Sequence, residues 1–490
     1  MNKFNHLLYC RQFLLTNKEI TGLPHFQVHP VNDLWLYRHP ALTYTQRQKG
    51  NKRLVLLGSL FDHTADCLSN GDILERLIGY DSFDEVLVAS YRYAGRFALI
   101  HQQGDDIRIF HDCASKRKVY YYFGRKYFCL GSAPRVIARY FQLKASRDGD
   151  KKTFYDHHPM LGPARVNLLD TTRYGSIKSL LPNHYLDLKS RSPVRFFPCE
   201  KLQRVSLQEG IHRVSEVLKG YMENFNHRHR LMMAVTAGND SRLLMAASRR
   251  IHEQVYYYIH RFPGMDEDHQ DIRIPGKIFA QAGGRFHVLT YPREVDPDFR
   301  EIYFRNSEFA CEANLPAIYH TFYRKHRDKL NIPTTLSDVT RNFFTAYRKS
   351  VTPRLLARML GYKELPFVVE NYRRWLEQLV SFTDQYGYSV LDLFNWEERY
   401  GNWGTYWQRD KDLAQEEMGP FNSRLLLTLM LGVPSRYRDV HTNAFHRMLI
   451  RHMWPELLRQ PFNPNWKKQM SYTLKRMHLY WPVRKVVRGW

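Results

Sequence analysis

The sequence predicts a mixed α/β protein. A strand-rich, sandwich-like first part leads into a doubly wound parallel sheet with a helical C-terminal region. Three observations point there. Short β-runs with turn residues between them fill residues 1–195. From about residue 205 strands and helices alternate, the pattern of a parallel sheet covered on both faces. After about residue 353 the chain reads as nearly all helical, with tryptophans and Leu-rich faces. At 490 residues the chain exceeds one ordinary core, so two domains are expected, 1–195 and 205–490.

In chain order, "RLVLLGSLFD", "YAGRFALIHQQGDDIRIFHD" and "VYYYFGRKYFCLGS" read as strands, with Gly104-Asp105-Asp106 as a hairpin turn. "SNGDILERLI" opens on cap-forming residues and reads as a helix. "SRSPVRFFPCEK", from Ser190 to Lys201, carries two prolines and reads as the linker. Then follow a helix ("LQEGIHRVSEVLKGYMENF"), a strand ("LMMAVT"), a helix ("DSRLLMAASRR") and a strand ("QVYYYIHRF"). "DIRIPGKIFAQAG" is helical with Pro275 as a kink or late start, "RFHVLTY" is a strand, and "TTLSD" a later one.

Composition narrows the class. An apolar content of 43% and an aromatic content of 14% exclude a disordered chain. No apolar run reaches the length of a membrane span, and "MNKFNHLLYCRQF" lacks the core of a signal peptide. The six cysteines are scattered with no CxxC pair, which suits reduced thiols and a cytoplasmic setting. The net charge of +25 predicts attraction to something anionic: nucleic acid, a membrane face or a phosphorylated ligand.

The segment Leu231–Ser248, "LMMAVTAGNDSRLLMAAS", carries the chemistry. In a parallel sheet, ligands sit beyond the carboxyl ends of the strands, where the next helix offers free N–H groups and the positive end of its dipole. Ala237 and Gly238 let an anion approach the backbone, Thr236 and Ser241 add hydroxyls, and Arg242 adds charge. A carboxylate at Asp240 would repel phosphate, so it reads as a cation ligand or as a helix cap. The spacing of a Walker loop is absent.

Thr236-Ala237-Gly238-Asn239-Asp240-Ser241 resembles the pyrophosphate loop, Ser-Gly-Gly-x-Asp-Ser, of the ATP pyrophosphatase superfamily. "YAGRFALI", "IRIFHDCASKRKVYYYF" and "CLGSAPRVIARYF" resemble the class II glutamine amidotransferase domain of asparagine synthetases, with Gly95, Phe97, Asp112 and Tyr120-Tyr121 in register. "EEMGPFNSRLLLTLML" is similar to that family's Glu-x-Arg-x-Pro-Phe-Leu-Asp segment at Glu416, Pro420 and Phe421. The resemblance to asparagine synthetase-like proteins implies a first domain of Ntn-hydrolase type and a pyrophosphate-loop synthetase domain behind it. It also implies ATP and Mg2+ as cofactors, with nucleotide contacts at Val235, Thr236, Ala237, Gly238, Asn239, Asp240, Ser241, Arg242 and Ile259.

The same resemblance shows departures. Asn2 stands where the glutaminase nucleophile would be, and Cys10, being internal, lacks the free α-amine. The family's Leu-Ser-Gly-Glu-Gly-Ala-Asp-Glu loop aligns with Leu336–Phe343, which places Asn342 beside Asp240 as the second metal ligand and Val339 at the acidic catalytic position. Asp338 next door is the substitute, and Lys467 and Lys468 are the nearest counterparts of a catalytic lysine. The implied activity is an ATP-dependent, AMP-forming amide synthetase, acting on a small-molecule or glycan carboxylate with ammonia or an amine. A non-catalytic ATP-binding member and a tRNA-modifying relative are the alternatives.

Other groups have plainer readings. His227 and His229 fit a solvated turn better than a metal site, and Asp266–Asp271 reads as an acidic first helical turn that could also face a nucleotide. "YGNWGTYW" fits core packing, with a sugar or nucleotide pocket as the other use. Past Glu456 no acidic residue remains, and basic residues interleave with Trp466, Tyr472, Tyr480, Trp481 and Trp490. That tail fits peripheral attachment to the anionic inner face of a membrane, and nucleic acid as the second choice.

Overall fold

The computed structural model describes residues 2–64, 67–157, 166–344, 350–362 and 364–464, apart from the side chain of Trp407. The first half is built from strands β1 (Phe13–Thr16), β2 (Gln27–Val31), β3 (Leu34–Arg38), β4 (Tyr44–Lys49), β5 (Lys52–Phe61), β6 (Ala94–Gln103), β7 (Asp106–His111), β8 (Tyr120–Phe123), β9 (Phe128–Gly131), β10 (Lys178–Ser179), β11 (His184–Asp187) and β12 (Ser192–Arg195). They form two six-stranded antiparallel sheets, ordered β10-β8-β9-β1-β3-β2 and β12-β11-β7-β6-β5-β4. Alternation explains the layering. Phe13, Leu15, Leu34 and Leu36 of one sheet meet Val55, Leu57, Ala98, Ile100 and Ile109 of the other in a closed apolar layer. The opposite face of the second sheet is covered by the helices Asn70–Ile78 and Phe83–Ala89, each opened by a serine capping box.

The second half contains β13 (Arg230–Ala234), β14 (Tyr256–His260), β15 (Phe286–Leu289) and β16 (Lys329–Ile332), parallel throughout and ordered β15-β14-β13-β16. The chain runs outward from β13 to β14 and β15, then returns to the other side of β13. That reversal creates a crevice beyond the carboxyl ends of β13 and β16. The helix Leu207–Arg228, capped by Ser206, presents Ile211, Val214, Leu218, Tyr221 and Phe225 to the core at helical spacing. The remainder is helical, including a π-helical segment, Asn395–Trp403, that buries Glu397 and Glu398. One apolar cluster runs from Phe61, Ala94 and Cys113 of the first half to Trp396 and Phe421 of the second.

Two local expectations are corrected. The last strand is Lys329–Ile332, and "TTLSD" lies beyond it, because Pro333 has no N–H for the ladder and Leu336 turns the chain at φ +82°. The expected linker contributes strand β12, where Pro193 is tolerated because β12 is a sheet edge. Pro275 sits inside the helix Gln270–Ala282. No helix of the described residues is long and apolar enough to cross a membrane.

Candidate active site at the strand reversal

The loop after β13 and the loop after β16 meet at the crevice. Ala234 closes β13, and Gly238 begins the helix Asn239–Ala247 as its N-cap, with no side-chain hydrogen bond of its own. Side chains hold the loop's shape. Ser241 Oγ accepts from Thr236 N at 3.1 Å, and Thr236 Oγ1 accepts from Gly238 N at 3.2 Å. A Cβ on Gly238 would lie 3.1 Å from Thr236 Oγ1, so only glycine leaves the helix N-terminus open there. Val235 donates its N–H to Tyr258 O at 2.9 Å, and Ile259 follows Tyr258 at the end of β14, level with the loop and nearly buried.

Two loop positions behave differently from their sequence reading. Arg242 does not face the crevice. It is fully buried, donates to the carbonyls of Leu457, Gln460, Pro461 and Ala237, and stacks its guanidinium on Phe462 with 3.8 Å to the ring centroid. It therefore pins the segment 457–463 behind the loop, and Asn463 N donates to Ala237 O at 3.1 Å. Asp271, in the first turn of the helix after β14, accepts the Ala237 N–H at 2.8 Å. One carboxylate thus occupies a loop amide that an anion would use.

Asp240 is the centre of the site. Its carboxylate accepts from Ser337 Oγ at 2.7 Å and from Arg341 Nη2 at 3.0 Å. Arg341 also pairs with Asp338 and donates to Asn443 Oδ1 at 2.8 Å. Asp338 accepts from Tyr400 OH at 2.8 Å and lies 3.5 Å from Arg399 Nη1. His446 Nε2 stands 3.9 Å from Asp240, and burial pushes its imidazole down to about 3, so the ring is neutral at ordinary pH. The result is two carboxylates bridged by one guanidinium at the mouth of the crevice.

The metal pair expected from the resemblance is not assembled. Asn342 turns away at φ +47° and donates its amide to Ser435 O at 2.8 Å. Arg341 already neutralises Asp240, and no group of three or more His, Cys, Asp or Glu side chains able to hold a metal occurs among the described residues. The side chains therefore do not fit a magnesium site built on two carboxylates. Sequence reading missed Arg341. Its signal was the Asp338-x-x-Arg341 spacing, which puts both on one face of a helical turn. His446 and Asn443 come from a distant helix start and carried no signal. Lys467 and Lys468 lie outside the described residues.

In the first half, Asn2 does not reach a sheet. It donates to Asp298 O and Glu301 on the helix Pro297–Asn306. Cys10 lies just before β1, its N–H is a peptide donor to Leu7 O, and burial pushes its thiol up to about 11. A protonated, internal cysteine has neither the thiolate nor the α-amine of an N-terminal nucleophile.

Fold and site together define a mixed α/β protein, with an antiparallel double sheet joined to a parallel sheet that carries its polar crevice at the strand reversal. No family model matches the chain, and no curated protein does. Two solved structures similar to it are the glutamine phosphoribosylpyrophosphate amidotransferase of B. subtilis complexed with ADP and GMP, and the allosteric regulatory enzyme of purine biosynthesis. The first is 10% identical over 61% of this chain and 65% of that one, with a TM-score of 0.24. The second is 10% identical over 60% and 63%, with a TM-score of 0.25. This chain spans less than two thirds of either, and the overlap is too loose to argue from.

Proposed function

We propose that the protein binds ATP at the strand reversal and serves as an AMP-forming carbon–nitrogen ligase. The observation that carries this reading is the convergence of the small-residue loop 235–242 with the loop 337–342 beyond the carboxyl ends of adjacent parallel strands. Phosphate oxygens on the N-terminus of the helix Asn239–Ala247 leave the α-phosphorus toward the second loop. A substrate carboxylate oxygen attacks there, the bond to pyrophosphate breaks, and an acyl adenylate forms. A nitrogen nucleophile then displaces AMP. Arg341 is placed to offset phosphate charge beside Asp240. With Cys10 internal and protonated, the nitrogen is free ammonia or an amine. A uronic acid of a surface glycan is the carboxylate that the family resemblance suggests.

A second reading has its own observation. Arg341 bridging Asp240 and Asp338 removes the carboxylates that a catalytic metal would use, which favours nucleotide binding without turnover. Product analysis separates the two, with ATP, ammonium and a panel of amino-acid and uronic-acid carboxylates. AMP that depends on one carboxylate supports the ligase. Bound ATP without turnover supports the second reading, and ADP as sole product refutes the ligase. The basic tail, outside the described residues, is proposed to contact an anionic membrane face. Equal sedimentation with anionic vesicles of the full chain and of a chain ending at Gln460 would refute that contact.

A further inference from the structure

A second polar cluster lies at the seam between the two halves, away from the strand reversal. A cavity of about 20 Å³ is lined by six basic side chains, Arg11, Arg96, Lys116, Arg117, Lys118 and Arg409, with one carboxylate, Asp412. Arg96, Lys116, Arg117 and Lys118 are almost wholly buried. Each reaches a fixed partner. Arg96 forks onto Asp412 at 2.5 and 2.8 Å, Arg117 pairs with Glu416, and Lys116 Nζ donates to Gly404 O at 2.7 Å. Lys118 Nζ donates to Ser179 Oγ and Asn402 Oδ1 at 3.1 and 3.3 Å, and Arg409 donates to Tyr120 OH at 3.2 Å. Arg117 Nε is buried with no hydrogen bond.

The charges do not balance. Three carboxylates, Asp112, Asp412 and Glu416, sit among the six cations, and Glu417 is taken by Lys411. Neutral oxygens and hydroxyls satisfy the donors of Lys116, Lys118 and Arg409 without supplying charge. Unmatched buried cations cost several kcal/mol each, roughly, unless a counter-charge is near. A cavity of this size takes about one water-sized sphere. That excludes a nucleotide or a sugar and suits a monoatomic anion.

We infer that this seam holds a small inorganic anion of halide size, bound among Lys116, Arg117 and Lys118. The anion supplies the missing charge and ties the antiparallel half to the segment 402–416, which the same cations already reach. Burial, with the charge of Arg409 second, lowers Lys118 to about 7, and burial lowers Lys116 to about 8. An adjacent anion keeps both protonated at neutral pH.

The test is thermal unfolding of the full chain in gluconate against chloride or bromide at one ionic strength, so that general screening is held constant. A saturable upward shift of the midpoint with halide is expected, and its loss in Lys118→Gln. Crystals grown in bromide give a second readout that needs no variant, an anomalous peak among Lys116, Arg117 and Lys118. Equal midpoints in gluconate and halide, or the absence of that peak, would overturn the inference and leave water and neutral lysines to fill the cavity.

Discussion

Replacing Arg341 by alanine should convert a metal-indifferent site into a magnesium-sensitive one. Arg341 lies 3.0 Å from Asp240, with side-chain exposures of 10% and 27%. At an effective dielectric near 20 that contact is worth roughly 5 kcal/mol before desolvation is subtracted. Removing one partner of a largely buried pair costs about 3–5 kcal/mol, and the partial exposure of Asp240 places this case near about 3. Asp338 loses the same partner, so two carboxylates are left facing each other across the gap. Urea unfolding in chelator should show Arg341→Ala well below the parent and Arg341→Lys between them. Added magnesium should recover part of the loss in Arg341→Ala and do little to the parent. Equal midpoints for parent and Arg341→Ala in chelator, or no response of the variant to magnesium, would refute the reasoning.

Three further outcomes are expected. Glu398 is buried, and burial raises its carboxyl to about 7 although Leu169 N, Asn402 and Tyr372 all donate to it. The folded pKa is above the unfolded one, so its contribution is full below pH 4.5 and lost as the pH rises through about 7. Glu398→Gln should match the parent near pH 4.5 and exceed it by about 3 kcal/mol near pH 8 in denaturant titrations. Arg242→Met should free four carbonyl acceptors and cost about 3 kcal/mol, with trypsin cleavage after Arg459 rising as the segment 457–463 unlatches. Iodoacetamide at neutral pH should label the exposed Cys199 and Cys311 long before Cys10, and glutamine should release no glutamate above a heat-killed control.

The parts of the fold set by local chemistry were legible in the sequence. Leu231–Ala234 announced a doubly buried strand, Ser69 and Asp72 a capped helix, and Gly104 a hairpin turn. Four residues with two polar members, Lys329–Ile332, carry too little pattern to reveal a strand, and the neighbouring threonines drew the reading past Pro333. At the site, the small residues at 236–238 marked a backbone feature that needs no partner. Side-chain directions were another matter. A long cation such as Arg242 can point into the crevice or behind it, and its acceptors lie more than two hundred residues away. The same distance hid His446 and Asn443 from Asp240 and Arg341.

Equilibrium titration of ATP into the full chain and into Gly238→Val tests most directly whether the loop at the strand reversal holds a nucleotide. The substitution suits the backbone, at φ −78°, and places a side chain against Thr236 Oγ1 where the helix N-terminus opens. Saturable binding by the parent, with affinity lost by at least about tenfold in the variant at an unchanged unfolding midpoint, is the expected result. No binding by the parent, or equal affinity in the two proteins, would contradict a nucleotide site at residues 235–242.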